Sequence, residues 1–139
     1  MLLATKSRVS GLRSRILTNI EILLSCMFLS DSEEMIKRSH ITSDTVIVNQ
    51  CDESGYKEEN IGNALIRTFS MTDRGLTKSR NYAISNSQAD VCIICDDDEV
   101  FSNGYEKAVS GAYDALPNAD IIIFDMVDRP LKWGDSVKN

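Results

Sequence analysis

The sequence lacks the features that would place it across a membrane or mark it for export. No apolar run approaches the roughly 20 residues that a bilayer-crossing helix needs. Met1-Leu2-Leu3-Ala4 is followed by Lys6 and Arg8 rather than by an apolar core, so the start does not read as a signal peptide. Internal repeats and low-complexity linkers are absent as well. Residues 1–19 hold no acid and carry Lys6, Arg8, Arg13 and Arg15. The formal charge is −6 overall, so that +4 lead leaves −10 for the remainder. A bulk surface this acidic excludes nucleic acid as its partner. The basic lead suits a peripheral contact with an anionic membrane or an acidic partner, but a solvated arm or an extra helix is the expectation for residues 1–19.

Cysteine is scarce too: Cys26, Cys51, Cys92 and Cys95 are all there is. Three of them lie in or at the ends of apolar, strand-like runs, where cysteine behaves as a small hydrophobe. Cys92 and Cys95 have the C-x-x-C spacing, yet an offset of three on a strand sends them to opposite faces. That argues against a zinc pair or a redox couple. A reduced, cytoplasmic chain, with any membrane contact at the inner face, is the simplest account.

What is present suffices for one domain with a core. The chain has 139 residues, 42% hydrophobic and 26% charged, ordinary values for a globular protein. In order, Leu12–Thr18 suggests a short helix and Glu21–Met27 a first strand. Ser30-Asp31-Ser32-Glu33-Glu34 offers capping residues and early acids, so a helix is expected from Ser32 to Ser39. Thr45–Asn49 reads as a second buried strand, Gln50 to Asn60 as a polar loop, and Ala64–Phe69 as a weaker third strand. Thr72 or Asp73 can cap a helix whose inward stripe is Leu76, Ser79/Arg80, Ala83 and Ile84. A helix over Asn103–Leu116, started by Ser102-Asn103 and broken by Pro117, precedes a last strand at Asp120–Asp125. Strands alternating with helices predict an α/β fold, Rossmann-like, with a largely parallel sheet flanked by helices.

The chain is organised around Val91–Phe101, VCIICDDDEVF. The apolar run Val91-Cys92-Ile93-Ile94-Cys95 reads as a strand buried on both faces. It ends in Asp96-Asp97-Asp98-Glu99, at the end of a strand where open α/β sheets bind ligands. Four carboxylates so close repel one another unless a cation or a basic group joins them. A solvated acidic turn is the plain alternative, but these acids abut a core strand. Arg80 falls on the stripe of its helix that should face the sheet, and a buried guanidinium needs a partner. The acidic cluster or an anion beside it would serve; snorkelling to solvent is the alternative. Gly75 at the helix start lets backbone N–H groups approach an anion. A helix N-terminus, an arginine and a carboxylate cluster together suit a metal plus a diphosphate.

The order of IEILLSCM, DTVIVNQCDE, RGLTKSRNYAI, ADVCIICDDDEVF and ADIIIFDM resembles the nucleotide-binding half of family 2 glycosyltransferases with the GT-A fold, over about residues 20–128. The resemblance rests on Gly75…Ser79-Arg80-Asn81, the acidic triplet downstream, and the strand–helix order. It implies that Asp96-Asp97-Asp98 is the D-x-D motif, with Asp98 ligating a divalent metal, Mn²⁺ or Mg²⁺. Asp96 or Asp97 would hold the ribose or assist the metal, and Arg80 would lie beside the diphosphate. It further implies base and ribose contacts from Ser25, Cys26 and Met27, and from Asn49 and Gln50. Many members carry acids where Asn49 and Gln50 stand; Asp52 is the nearest carboxylate. Asp73 stands where asparagine is common.

The implied partners are a nucleotide-diphosphate-sugar and a carbohydrate or glycolipid acceptor, with inversion as the family expectation. The acceptor half and the catalytic base are expected outside the 139 residues, since nothing promotes Asp120, Asp125, Asp128 or Asp135 to that role. Transfer by this chain alone is therefore not expected. Apolar surface on Ile121–Phe124 and Trp133 suggests a homodimer. Two rivals stand beside this reading. A magnesium-dependent phosphoryl-transfer protein would want an acid on the first strand, which ends instead in Ser25-Cys26. A non-catalytic nucleotide- or metal-binding module needs nothing more than the short length.

Overall fold

The structure is a computed structural model that describes residues 2–6 and 19–124. The expected helix at Leu12–Thr18, together with Trp133, Asp125, Asp128 and Asp135, lies outside the described residues. Among the described residues the elements follow in the order β1 (Leu2–Lys6), β2 (Ile20–Met27), α1 (Ser32–Arg38), β3 (Asp44–Gln50), β4 (Gly55–Ile61), β5 (Ala64–Met71), α2 (Leu76–Asn86), β6 (Val91–Asp96), α3 (Tyr105–Ala115) and β7 (Ile121–Phe124). The strands form one mixed sheet in the order β4-β5-β3-β2-β6-β1-β7.

The sheet is parallel only at its centre. β5, β3, β2 and β6 pair in parallel, whereas β4 on one side and β1 and β7 on the other pair antiparallel. The expectation of a largely parallel sheet is thus corrected to a parallel centre with antiparallel margins. The parallel strands are the ones whose apolar runs are continuous, as burial on both faces requires.

Alternation along the strands divides the core in two. Ile22, Leu24, Ile47, Ile66, Ile93 and Cys95 face α1 and α3, packing with Met35, Ile36, Tyr105, Val109 and Tyr113. Leu23, Val46, Val48 and Cys92 face α2 and meet Ala83. Cys92 and Cys95 therefore do lie on opposite faces, and all four cysteines are free. No helix among the described residues is long and apolar enough to cross a membrane.

Two strands depart from the sequence reading. The basic lead begins not as an arm or helix but as β1, inserted between β6 and β7 with Ala4 fully buried. The Gln50–Asn60 segment ends not in loop but in β4, an edge strand. Its Tyr56-Lys57-Glu58-Glu59 has no apolar alternation because most of it stays in water, and charged side chains protect an open edge. Its hairpin with β5 turns through Gly62-Asn63, with Gly62 at φ +61°, where glycine is at ease. At the other margin, Ile121 and Ile123 of β7 are exposed.

The helices start differently. α1 begins as expected, its N-cap Asp31 accepting from the Glu33 and Glu34 N–H groups. Neither α2 nor α3 has the expected side-chain cap. Gly75 and Gly104 occupy those positions, without side-chain cap hydrogen bonds. Residues 72–75 are instead consumed in carrying the chain from β5, which runs on to Met71, down onto the sheet face. Leu76 and Ile84, expected on the inward stripe of α2, are exposed, and Ser79 and Ala83 form its buried side.

Candidate functional site

From β2 the chain moves outward to β3 and β5, then returns to place β6 on the other side of β2. The strand order therefore reverses between β2 and β6, and crevices outside such a reversal are where open α/β sheets bind ligands. A crevice of about 530 Å³ lies there, a size suited to a small ligand. Ser25, Cys26 and Met27 line it from β2, Gln50 from β3, and Asp96, Asp97 and Asp98 from the end of β6. Arg74, Gly75 and Leu76 close it from the approach to α2.

Strand register brings the polar groups together. Ser25 and Asp96 are direct neighbours across the β2–β6 ladder, so both project towards α2. There Ser79, fully buried, donates its hydroxyl to Ser25 Oγ at 3.0 Å, and Arg80 Nη2 donates to Asp96 Oδ1 at 3.0 Å. The expected pairing of Arg80 with the acidic triplet is thus formed. Its Nε is shielded from solvent and donates to no group among the described residues.

The first turn of α2 is open to the crevice. Gly75 has φ +131°, a conformation that a side chain would strain. Its N–H donates to Gln50 Oε1 at 2.7 Å. The following N–H groups have no intrahelical partners, as in any helix start, and no acid stands in the first turn to offset them. Outside the crevice, Arg38 Nη2 donates to the Asp97 carbonyl at 3.2 Å, tying α1 to the acidic turn.

Burial, with a smaller contribution from the acids, raises the neighbouring thiols and one carboxyl. Burial, then Asp97 and Cys51, push the Cys26 thiol up to about 12. Burial also holds the Cys95 thiol well above its usual range, with Glu99, Asp96 and Asp97 adding to the effect. Burial raises the Glu99 carboxyl, and Asp96 contributes in the same direction. The carboxylates are hard oxygen donors of the kind Mg²⁺ and Mn²⁺ favour. Among the described residues, no three His, Cys, Asp or Glu side chains gather closely enough to hold a metal by themselves. Magnesium-type sites commonly need only one or two carboxylates and take phosphate oxygens and waters for the rest, so the donor set fits.

Two expected contacts lie elsewhere. Asn49 faces the α1/α3 side, where its Oδ1 accepts the Leu29 N–H at 2.9 Å, and it does not line the crevice. Asp52 is exposed and pairs with Arg74 Nη2 at 2.8 Å. Arg74, Ser79 as a hydrogen-bonding group, and Phe28 were not among the expected site residues. Arg74 had a signal, since it immediately precedes the glycine that starts α2. Compared with family models, curated proteins and solved structures, the chain matches none.

Proposed function

We propose that the crevice binds a nucleoside-diphosphate-linked sugar together with a divalent cation. On this reading the chain is the donor-binding part of a GT-A glycosyltransferase, transferring the sugar to a carbohydrate or glycolipid hydroxyl. The observation that carries it is the meeting of Arg80 and Asp96 beside the open first turn of α2, where the strand order reverses. An arginine, unpaired helix N–H groups and a carboxylate cluster recognise opposite halves of one ligand, a diphosphate and its counter-cation.

Roles follow from charge and place. Asp98 is the most exposed of the triplet and would ligate the cation, with Asp96 or Asp97 assisting. The cation, when bound, would offset charge on the departing diphosphate. Arg80 and the first-turn N–H groups would hold the phosphate oxygens from the other side, a preorganised set of donors. Ser25 and Met27 border the ribose, and the Gln50 amide turns its free nitrogen to the ligand. No described residue is assigned as the base that deprotonates the acceptor.

Thermal unfolding with uridine or guanosine diphosphate tests this. Each should raise Tm more with Mn²⁺ than with EDTA, because ligand binds only the native state. Asp98→Asn should remove most of that difference. An unchanged metal-dependent shift in the variant would exclude Asp98 as a ligand, and no shift in the native chain would remove the reading.

A further inference from the structure

Arg74 lines the crevice, yet the acidic triplet does not hold it. Its Nη1 donates to the Cys51 carbonyl at 2.6 Å and its Nη2 to Asp52 Oδ1 at 2.8 Å. Guanidinium N–H groups point outward in the plane of the group, so both bonds engage its edge. The Phe28 ring flanks it as well, with Arg74 Cζ over the ring at 5.0 Å from its centroid.

Phe28 stands in an uncommon backbone state. Its φ is +48°, in the left-handed region that bulky residues avoid. Its N–H is anchored on the Gln50 carbonyl at 3.0 Å. The residue is 58% exposed, so core packing does not account for that conformation. Held at its edge by Cys51 and Asp52 and flanked by Phe28, the guanidinium is a fixed group on the crevice wall, its side chain 39% exposed.

We infer that Arg74, backed by Phe28, is a stacking platform for the planar ring of a nucleobase. The inference rests on the crevice being a nucleoside diphosphate site. A guanidinium is weakly hydrated and stacks readily on π systems, so one held part-exposed on the crevice wall is suited to a flat, unsaturated ring. Stacking reads shape rather than edge pattern, so the platform accepts purines and pyrimidines alike. Asp52, too far along the chain to replace the family's base-pairing acid, becomes a positioning residue that fixes the plane of Arg74.

Titration calorimetry with Mn²⁺ separates the base from the diphosphate, using uridine diphosphate, guanosine diphosphate and inorganic pyrophosphate as probes. Both nucleotides should bind the native chain at least about fivefold more tightly than pyrophosphate, the lower end of what stacking contributes. Arg74→Lys keeps the charge and loses the plane. It should weaken both nucleotides about tenfold and leave pyrophosphate within about twofold. Phe28→Leu, which removes the ring but keeps apolar bulk, should shift the nucleotides in the same direction. Equal weakening of all three probes by Arg74→Lys would make Arg74 a charge contact and overturn the platform. Equal affinity of the native chain for pyrophosphate and nucleotides would also overturn it while sparing the diphosphate site. Binding of none of the probes would instead remove the reading of the crevice itself.

Discussion

Arg67 on β5 reaches past β3 to Glu21 on β2, Nη2 to Oε1 at 2.6 Å, with side chains only 7% and 5% exposed. The pair is tied to the end of α2. Arg67 Nη2 also donates to the Asn86 carbonyl at 2.9 Å, while Ser87 Oγ and the Gln88 N–H donate to Glu21 Oε2 at 2.6 and 3.0 Å. One end of α2 is thus fixed by a buried polar network, and its other end opens on the crevice. The network ties the C-terminal end of α2 to β2 and β5.

Breaking this pair should be costly. Removing one partner leaves the other charge buried without compensation, which typically costs 3–5 kcal/mol. Glu21→Ala or Arg67→Ala should therefore lower the unfolding free energy by about that amount, measured in urea. The double variant Glu21→Leu/Arg67→Met should recover much of the loss, since neither buried charge remains. Single-variant costs near those of a surface pair would show that water reaches the network.

Arg80 and Asp96 should behave in the opposite way. Their side chains are 38% and 46% exposed, so water screens the pair. Arg80→Met should change stability by no more than about 1 kcal/mol. The same change should weaken diphosphate binding by about tenfold or more, since a charge-assisted contact to the ligand is lost. A large stability loss without a binding defect would make Arg80 structural.

Acid should loosen β4 from α1. Glu59 on β4 bonds Ser32 of α1 and pairs with Lys57 at 2.8 Å. The Lys57 ammonium, then the Ser32 hydroxyl, hold its carboxyl below the ordinary value of 4.5. A depressed carboxyl stabilises the fold above its unfolded value, and that contribution disappears as pH falls through the folded one. The Tm advantage of the native chain over Glu59→Gln should be steady above about pH 5.5 and shrink below 4.5. An advantage independent of pH would place the contribution in packing rather than charge.

Thiol chemistry gives a check on the fold. Cys26 borders the crevice, but burial and the nearby acids push its thiol up to about 12. Cys92 and Cys95 are buried and raised by that burial. Cys51 is half-buried, in the turn after β3. Alkylation near pH 8, read by mass spectrometry, should label Cys51 first and the other three only on unfolding, since the thiolate is the reacting form. Early labelling of Cys26 would contradict its burial.

The parallel centre of the sheet was legible because burial on both faces writes itself as continuous apolar runs at Ile22–Leu24, Val46–Val48 and Val91–Cys95. The meeting of Arg80 with the triplet was expected from an inward stripe that the structure keeps only in part: Ser79 and Ala83 are buried, whereas Leu76 and Ile84 are exposed and Arg80 is 38% exposed. β4 was not, since an edge strand in water carries no apolar alternation. Only the Gly62-Asn63 turn marked it. β1 was hidden because a short apolar stretch beside basic residues serves an arm as well as a strand. Asn49 and Gln50 shared one expectation, yet adjacent strand residues face opposite ways, so only Gln50 reaches the crevice.

That single turn of register makes Gln50 the sharpest test of the crevice wall. Only an acceptor can take the Gly75 N–H, so the 2.7 Å bond assigns the Gln50 oxygen to it and directs the amide nitrogen elsewhere. Gln50 is buried but for the part that lines the crevice, so the nitrogen's two N–H donors are available to a ligand there. Gln50→Glu keeps shape and keeps an oxygen for Gly75, while it exchanges those donors for a negative acceptor. If Gln50 served only to pin the start of α2, the variant would fold and bind as the native chain does. The expectation is different: Tm within about 2 °C of the native chain, because the bond to Gly75 persists, and nucleoside diphosphate affinity reduced by about tenfold or more, because a like charge now faces the ligand. Unchanged affinity in Gln50→Glu would show that the ligand does not approach β3, and would confine binding to the β2, α2 and β6 walls.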